Sequence, residues 1–217
     1  SIVKDLFTNK IDIYHGLSHE LPLGIEKTSI KSVVTIHDLI FIRYPHLFST
    51  IDRKIYLKKF KSACERADKI IAISQQTKQD IIDFLDIPES KITVVYQGCN
   101  NIFQKPIAES KKEETLKKHN IPTEYLLNVG SIEERKNLLT LLQALKELPN
   151  QKLVVIGNGK SYKIKCLRYI KEHNLSGRVM FLSNLTLEEM AVIYQSAQLM
   201  IYPSIFEGFG IPILESL

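Results

Sequence analysis

The chain has 217 residues, of which 44% are hydrophobic and 24% charged, with a formal net charge of +5. This length fits one large domain or two small ones, and it can bury a core without disulfides or a metal. Nine glycines and eight prolines exclude collagen-like and low-complexity chains. A charge excess this small does not indicate nucleic acid as a partner, and no apolar run reaches the roughly 18 residues of a membrane span.

The three cysteines, Cys64, Cys99 and Cys166, are far apart and lack the CxxC spacing of zinc sites. Scattered thiols in odd number favour a reducing compartment, so we expect a cytoplasmic protein. The chain has no Asp-x-Asp pair, the pattern that typically holds a divalent cation on a diphosphate, so we expect no metal.

Short apolar runs rich in Ile and Val recur along the chain and predict a series of strands. In chain order they cover residues 32–36, 69–73, 92–96, 125–129, 152–156, 179–182 and 199–202. Because these runs are nearly continuous in apolar residues instead of alternating, they indicate parallel strands covered on both faces.

Amphipathic stretches separate the predicted strands, and most have recognisable helix ends. The signals are a basic segment from Ile51 to Lys69, a start at Ser74 with an end near Pro88, a cap at Asn137 with an end at Pro149, and a capping box from Thr186 to Glu189. The alternation of strand and helix indicates an α/β fold with doubly wound parallel sheets.

A break between Gln97 and Pro122 lacks strand character and separates two Rossmann-like halves. We therefore predict two domains, residues 1–104 and residues 105–217. They should face each other across a cleft that is lined by strand C-termini and helix N-termini.

The segment after the last predicted strand, from Glu207 to Glu215, has two glycines and a proline at a helix start. Gly208 and Gly210 permit a tight turn whose amides can bind an anion. Glu207 and Glu215 stand on either side of this turn, which suits a ligand with hydroxyls on both sides of a diphosphate. The alternative is a helix-capping turn with solvated glutamates.

Two other turns follow predicted strands. After Gly130, the cations Arg135 and Lys136 are placed to neutralise a leaving diphosphate, although a solvated pair is the commoner fate of such a dipeptide. Gly157 and Gly159 match the first two glycines of a dinucleotide fingerprint without the third. A tight strand–helix turn explains them as well as a cofactor does, so a nicotinamide dehydrogenase is a poor alternative.

Two features precede the break. His37 follows a predicted strand, where it could bind a substrate hydroxyl, act as an acid or base, or be purely structural. The segment from Ile51 to Lys69 has seven basic residues, all between Arg53 and Lys69, against three acidic ones, and so holds most of the charge excess. It predicts contact with anionic lipid headgroups, and a solvated helix face is the alternative.

Together these motifs resemble the family 4 retaining glycosyltransferases with the GT-B fold. They span residues 35–38, 130–137, 157–159 and 207–215, and residues 14–22 are similar to the mannosyltransferase-type members. The resemblance implies transfer of a hexosyl group from a nucleotide diphosphate sugar to a glycan or lipid-linked acceptor in cell-surface polysaccharide biosynthesis. It also implies retention at the anomeric carbon, with no metal or other cofactor. We expect GDP-mannose as donor, and a non-catalytic nucleotide-sugar-binding fragment is the alternative.

The resemblance also implies roles by position. The first domain is the acceptor side and the second binds the donor. His37 and Glu207 are the implied catalytic residues, acting on the transferred sugar, and Glu215 holds the ribose. The implied donor-binding residues are Gly130, Arg135, Lys136, Gly157, Gly159, Leu185, Gly208, Phe209, Gly210, Ile211 and Glu215.

The chain departs from the family pattern in several places. Ser131 stands where many members have an arginine, and no glycine-rich loop occurs near the start. The chain begins at Ser1 without a methionine and ends two residues after Glu215. We therefore expect both domains to be incomplete.

Overall fold

The computed structural model describes residues 2–217, so Ser1, where the sequence begins without a methionine, lies outside the described residues. The chain divides into two compact units. The first extends to Gln97 and includes Glu207–Phe209, and the second comprises Gly98–Phe206 and Gly210–Leu217.

The first unit is an α/β unit with a parallel sheet in the order β1-β2-β3-β4. Its strands are β1 (Ile13–Gly16), β2 (Lys31–Ile36), β3 (Lys69–Ala72) and β4 (Ile92–Val94). Its α-helices are α1 (Ile2–Thr8), α2 (Ile40–Arg43), α3 (Thr50–Arg66) and α4 (Gln75–Leu85), with short 3-10 turns at Ile25–Lys27, Pro45–Leu47 and Glu89–Lys91.

The second unit is also α/β, and its parallel sheet has the order β7-β6-β5-β8. Its strands are β5 (Leu126–Val129), β6 (Leu153–Ile156), β7 (Val179–Leu182) and β8 (Leu199–Met200). Its α-helices are α5 (Glu109–Lys118), α6 (Leu138–Lys146), α7 (Ser161–Glu172), α8 (Leu187–Ser196) and α9 (Ile211–Glu215), with 3-10 turns at Asn101–Gln104 and Glu134–Lys136.

These elements confirm the predicted fold class, and every predicted strand exists within a few residues of its expected bounds. Strand β1 was not predicted. It is the edge strand of the first sheet, and of its residues only Gly16 is buried. Its sequence, Ile-Tyr-His-Gly, lacks the continuous apolar run that predicts the other strands.

The helix ends follow the signals in the sequence. The Ser74 hydroxyl accepts a hydrogen bond from the amide of Thr77, and helix α4 ends at Asp86 in a left-handed conformation, just before Pro88. Thr186 and Glu189 form the predicted capping box of α8. Helix α3 ends sooner than predicted, at Arg66, because Lys69 already belongs to β3.

The two units divide earlier than predicted, at Gln97 instead of after Gln104. The 3-10 turn Asn101–Gln104 packs on α8, where the ring of Phe103 stands edge-on to that of Tyr194 with centroids 5.2 Å apart. The side chain of Gln195 donates hydrogen bonds to the carbonyls of Phe103 and Lys105. The polar composition of this segment predicts a linker, but the buried Phe103 and the hydrogen bonds from Gln195 attach it to the second unit.

Within residues 2–217, no helix combines the length and the apolar character that crossing a bilayer requires.

A charged cluster joins α5 to the start of α8. Oε1 of Glu189 lies 2.8 Å from Nζ of Lys118 and 2.8 Å from Nε2 of His119. The other carboxylate oxygen accepts the amide hydrogen of Thr186 at 2.8 Å. The hydrogen bonds from Lys118, Thr186 and His119 lower the pKa of Glu189 from 4.5 to about 2.

We expect Glu189 to contribute stability that is lost in acid. A carboxyl whose pKa is depressed in the folded state stabilises the fold fully above its unfolded pKa of 4.5, and the contribution disappears as pH falls through about 2. Urea unfolding between pH 7 and pH 2 should therefore find Glu189→Gln less stable than wild type at neutral pH, with the difference shrinking in acid.

The matched control is Glu188→Gln, which removes a neighbouring charge that is exposed and outside the cluster. Its unfolding curve should follow that of wild type across the range. A constant deficit of Glu189→Gln at every pH would contradict the assignment.

Candidate functional site

The second sheet changes direction at β5. The chain runs outward from β5 through β6 to β7, and then returns to place β8 on the other side of β5. In open parallel sheets, ligands bind beside the carboxyl ends of the strands at such a switch point. The loops after β5 and β8 are those that contain most of the predicted donor-binding residues.

Glycines let the turn after β6 lie directly on the turn after β5. A Cβ at Gly157 would stand 1.9 Å from the carbonyl oxygen of Gly130, and one at Gly159 would stand 2.2 Å from that of Ile132. The Ile132 amide donates to the Asn158 carbonyl at 2.8 Å. Because these two glycines have no side chains, the two turns can touch backbone to backbone. This contact fixes where the loop after β5 leaves the sheet.

Arg135 ties the loop after β5 to the loop after β8. Its guanidinium donates to the Phe206 carbonyl at 2.9 Å and to the Glu133 carboxylate at 2.7 Å. Its own carbonyl accepts the amide hydrogen of Ile205 at 2.9 Å. The side chain is 17% exposed, so the positive charge sits at the switch point, largely covered.

Lys136 lies beside the same loop. Its ammonium nitrogen is 2.7 Å from the Tyr202 hydroxyl and 4.9 Å from the centre of that ring. A Cβ at Gly130 would be 3.5 Å from Cε of Lys136, so the lysine stem lies over this glycine. The structure therefore brings Gly130, Arg135 and Lys136 together at the ends of β5 and β8.

Two asparagines complete the connection. The amide of the buried Asn128 donates to the Ile201 carbonyl at 2.8 Å, and that of Asn137 donates to the Pro203 carbonyl at 3.3 Å. Asn137 occupies the cap position of α6 in a left-handed conformation, with φ 57°, and its side chain makes no capping hydrogen bond to the helix. The predicted cap position is confirmed, but the side chain caps no backbone amide: its amide group holds the neighbouring loop, and its Oδ1 accepts the Thr140 hydroxyl of α6 at 2.8 Å.

The predicted residues at the end of the chain fall partly in the second unit. Gly210 precedes α9 with φ 95°, Ile211 is the first helical residue, and Glu215 is the last. An Oε2 atom of Glu215 accepts the Tyr194 hydroxyl at 2.7 Å. Leu185, just before α8, packs against the apolar cluster beneath β5.

Glu207, Gly208 and Phe209 group with the first unit. Gly208 is buried, and a Cβ there would stand 2.1 Å from the carbonyl oxygen of His37. The Phe209 ring stacks on that of Tyr96 with centroids 6.0 Å apart. The structure thus brings the backbone after Glu207 against the residue that follows β2.

His37 sits among other histidines at the carboxyl ends of β1 and β2. Its Nε2 lies 2.9 Å from the Leu17 carbonyl, and because a carbonyl oxygen can only accept, this nitrogen has the proton. Its ring stands edge-on to that of His19, which stacks on Phe60 with centroids 4.3 Å apart. Burial and the neighbouring His37 lower the pKa of His19 to about 4, so this ring is neutral at physiological pH.

Three residues of these arrangements were not singled out from the sequence. His19 lies within the segment similar to mannosyltransferases, but nothing in that segment distinguishes it. Tyr194 lies in the helix that follows the predicted capping box, where no pattern distinguishes it, and Tyr202 is the last residue of a predicted strand. Their contacts are made across the fold, so no local spacing indicates them.

Among residues 2–217, no three histidine, cysteine, aspartate or glutamate side chains come together in a group that could hold a metal ion.

We expect Gly159→Ala to destabilise the second unit strongly. The added methyl would meet the Ile132 backbone at 2.2 Å, and backbone cannot move aside as a flexible side chain can. The free energy of unfolding should fall by about 2 kcal/mol or more, the range of severe overpacking, as measured by urea denaturation.

Gly177→Ala is the matched control, since a Cβ at Gly177 meets nothing within 4 Å. This variant should be as stable as wild type or slightly more stable, because alanine restricts the unfolded chain. Equal stabilities of the two variants would contradict the backbone contact.

The chain is similar to known proteins over nearly its whole length. Residues 111–217 match the family described as Glycosyl transferases group 1, and residues 1–101 match Glycosyltransferase Family 4. Among solved structures, HepE from Anabaena in complex with UDP has a TM-score of 0.77 at 18% identity, over 99% of this chain and 59% of that one. WaaG, described as a glycosyltransferase involved in lipopolysaccharide biosynthesis, has a TM-score of 0.73 at 19% identity, over 99% of this chain and 59% of that one.

The curated relatives are longer than this chain. The serotype-specific mannosyltransferase WbdA of Escherichia coli is 29% identical over 94% of this chain and 26% of its own length. The O-antigen chain mannosyltransferase B of Escherichia coli is 27% identical over 94% of this chain and 54% of its own length. With two parallel-sheet units that match the two glycosyltransferase families in succession, the chain belongs to the group 1 and family 4 glycosyltransferases, whose fold is GT-B.

Proposed function

We propose that this chain is part of a retaining hexosyltransferase that takes its sugar from a nucleotide diphosphate donor. The observation that best supports the proposal is the pair of cations, Arg135 and Lys136, at the β5–β8 switch point. Fixed positive charge at this position suits a diphosphate leaving group, whose negative charge grows in the transition state. The UDP complex of HepE is consistent with a diphosphate ligand on this fold.

The other residues take the roles that the family resemblance implies. We assign the donor diphosphate to Arg135, Lys136 and the amides of residues 208–210, and the ribose hydroxyls to Glu215. Glu207 and His37 act on the transferred sugar. We propose that the two cations serve in place of a divalent metal, because the sequence has no Asp-x-Asp pair.

We propose mannose as the sugar and GDP-mannose as the donor. The support is the names of the relatives, which include the mannosyltransferase WbdA, O-antigen chain mannosyltransferase B and O-antigen chain mannosyltransferase RfbU of Salmonella typhimurium. Their names also support a glycan or lipid-linked acceptor in cell-surface polysaccharide assembly. The alternative is a non-catalytic nucleotide-sugar-binding fragment.

We propose a cytoplasmic location with contact to the inner face of the membrane through α3. The free thiols support the reducing compartment. On the outer side of α3, Ile51 is 71% exposed and Ile55 47% exposed, one turn apart on one face. Lys54 and Lys58 are exposed beside them. Two exposed isoleucines flanked by lysines suit a helix that lies in the headgroup region of an anionic bilayer.

Titration calorimetry in the presence of EDTA tests the donor site. Wild type should bind GDP-mannose, GDP or UDP, and Lys136→Ala should weaken binding by about 10- to 100-fold, the loss of a charge-assisted contact. The control Lys117→Ala removes an exposed lysine from α5 and should bind as wild type does.

Transfer by the full-length parent protein separates the enzyme from the non-catalytic alternative. Glu207→Ala should abolish mannosyl transfer while the variant remains folded by circular dichroism. A folded wild-type chain that binds none of the three nucleotides would overturn the donor assignment.

Vesicle flotation tests the membrane contact. Wild type should float with phosphatidylglycerol vesicles and remain unbound with phosphatidylcholine alone. The double variant Lys54→Glu/Lys58→Glu should lose about 10-fold or more in partitioning, since each basic residue near an anionic surface contributes about 1 kcal/mol.

The control Lys146→Glu/Lys171→Glu makes the same change in net charge at exposed positions of the second unit. Equal loss in both double variants would point to net charge instead of α3. Binding that ignores phosphatidylglycerol content would remove the proposal.

A further inference from the structure

Tyr194, in the last turn of α8, makes a direct contact with a predicted ligand-binding residue. Its hydroxyl donates to Oε2 of Glu215 at 2.7 Å. Tyr194 is 6% exposed, whereas Glu215, at the end of α9, is partly exposed. A buried donor thus holds one oxygen of a carboxylate that reaches the surface.

The Tyr194 ring is held in position by packing against the 3-10 turn Asn101–Gln104. Phe103 is buried and stands edge-on to it at 5.2 Å, with an interplanar angle of 79°. The adjacent Gln195 donates to the carbonyls of Phe103 and Lys105 at 3.1 and 2.8 Å, which holds the 3-10 turn in place. The hydroxyl therefore cannot leave Glu215 without disrupting packed groups.

The Tyr194 hydroxyl does not ionise in the range of pH where proteins work. Burial raises the pKa of Tyr194, and the hydrogen bond to Glu215 together with its negative charge raises it further. The tyrosine stays protonated and remains a donor.

A carboxylate that is held at one oxygen can still accept hydrogen bonds from the two hydroxyls of a diol. An ionised carboxylate has about four acceptor positions, and Tyr194 occupies one of them, on Oε2. The remaining positions include all those of Oε1. Helix α9 has only five residues, so its backbone alone does little to restrict a glutamate side chain that has three rotatable bonds.

We propose that Tyr194 is a positioning residue that orients the Glu215 carboxylate to accept both ribose hydroxyls of the nucleoside diphosphate. The inference rests on the proposed function, in which Glu215 binds the ribose. It assigns to α8 a part in donor recognition that neither its sequence pattern nor the resemblance indicated.

Calorimetry with GDP and 2′-deoxy-GDP, and with UDP and 2′-deoxy-UDP, tests this role in the 217-residue chain. Wild type should prefer the ribonucleotide by about 10-fold, and Glu215→Ala should remove that preference. Tyr194→Phe keeps the ring and deletes only the hydroxyl. It should weaken ribonucleotide binding by about 3- to 10-fold and reduce the preference to about 2-fold or less, with little effect on the deoxynucleotide.

Tyr125→Phe is a closely matched control. Tyr125 is fully buried, and its hydroxyl donates to the carbonyl of Ile193, the residue before Tyr194, at 2.6 Å. This variant loses a buried tyrosine hydrogen bond to the same helix without touching Glu215. It should retain the full preference for the ribonucleotide even if its stability falls.

The outcomes distinguish a failure of the proposed function from a failure of the role of Tyr194. Absence of any nucleotide binding by folded wild type would overturn the proposed function and this inference with it. Binding with a ribose preference that Tyr194→Phe leaves intact would overturn the inference alone. If Tyr194→Phe does not fold, a crystal structure of wild type with bound GDP or UDP decides. The Tyr194 hydroxyl must then remain within hydrogen-bond distance of a Glu215 that contacts the ribose, and a Glu215 turned away from it would refute the role.

Discussion

The arrangement of the second unit depends on two strand–helix turns that touch through their backbones. No side chain fits between the turn at Gly157 and Gly159 and the turn that begins at Gly130, because a Cβ would enter the facing carbonyl oxygens. Contact at this distance leaves little freedom in how the loop after β5 departs from the sheet. Arg135 and Lys136 follow directly, so their placement at the switch point is a consequence of the missing side chains, and the loop after β8 is in turn held by Arg135.

Most of the fold could be predicted because seven of the eight strands lie in nearly continuous apolar runs. Continuous runs such as Leu153–Ile156 and Val179–Leu182 are found by composition alone. Strand β1 fails this criterion because its sequence, Ile-Tyr-His-Gly, is not a continuous apolar run. The attachment of Gly98–Gln104 to the second unit depends on the buried Phe103 and on hydrogen bonds from Gln195. A linker is predicted from its polar composition, and composition does not reveal that one of its residues, Phe103, is buried against a distant helix.

The candidate site was predictable where it depends on backbone chemistry and not where it depends on contacts between distant elements. Glycines at turns and cations after a strand have meaning at their own positions, and the structure places Gly130, Arg135 and Lys136 together. The Tyr194–Glu215 pair joins residues from two helices, and the His19–His37 pair joins residues after two strands. Neither spacing is characteristic of a motif, so only the folded arrangement reveals them.

Helix α8 is engaged along nearly its whole length. Glu189 holds α5 at its start, Ile193 accepts the Tyr125 hydroxyl in its middle, and the last turn holds both Glu215 and the 3-10 turn. Only Leu187 and Glu188, in the first turn, are exposed. A helix at a protein surface ordinarily tolerates change along an outward stripe, but this one offers no such stripe. Substitutions should therefore be tolerated at its first two positions. Elsewhere in the helix, a substitution needs a matching change in the neighbouring element that the residue contacts.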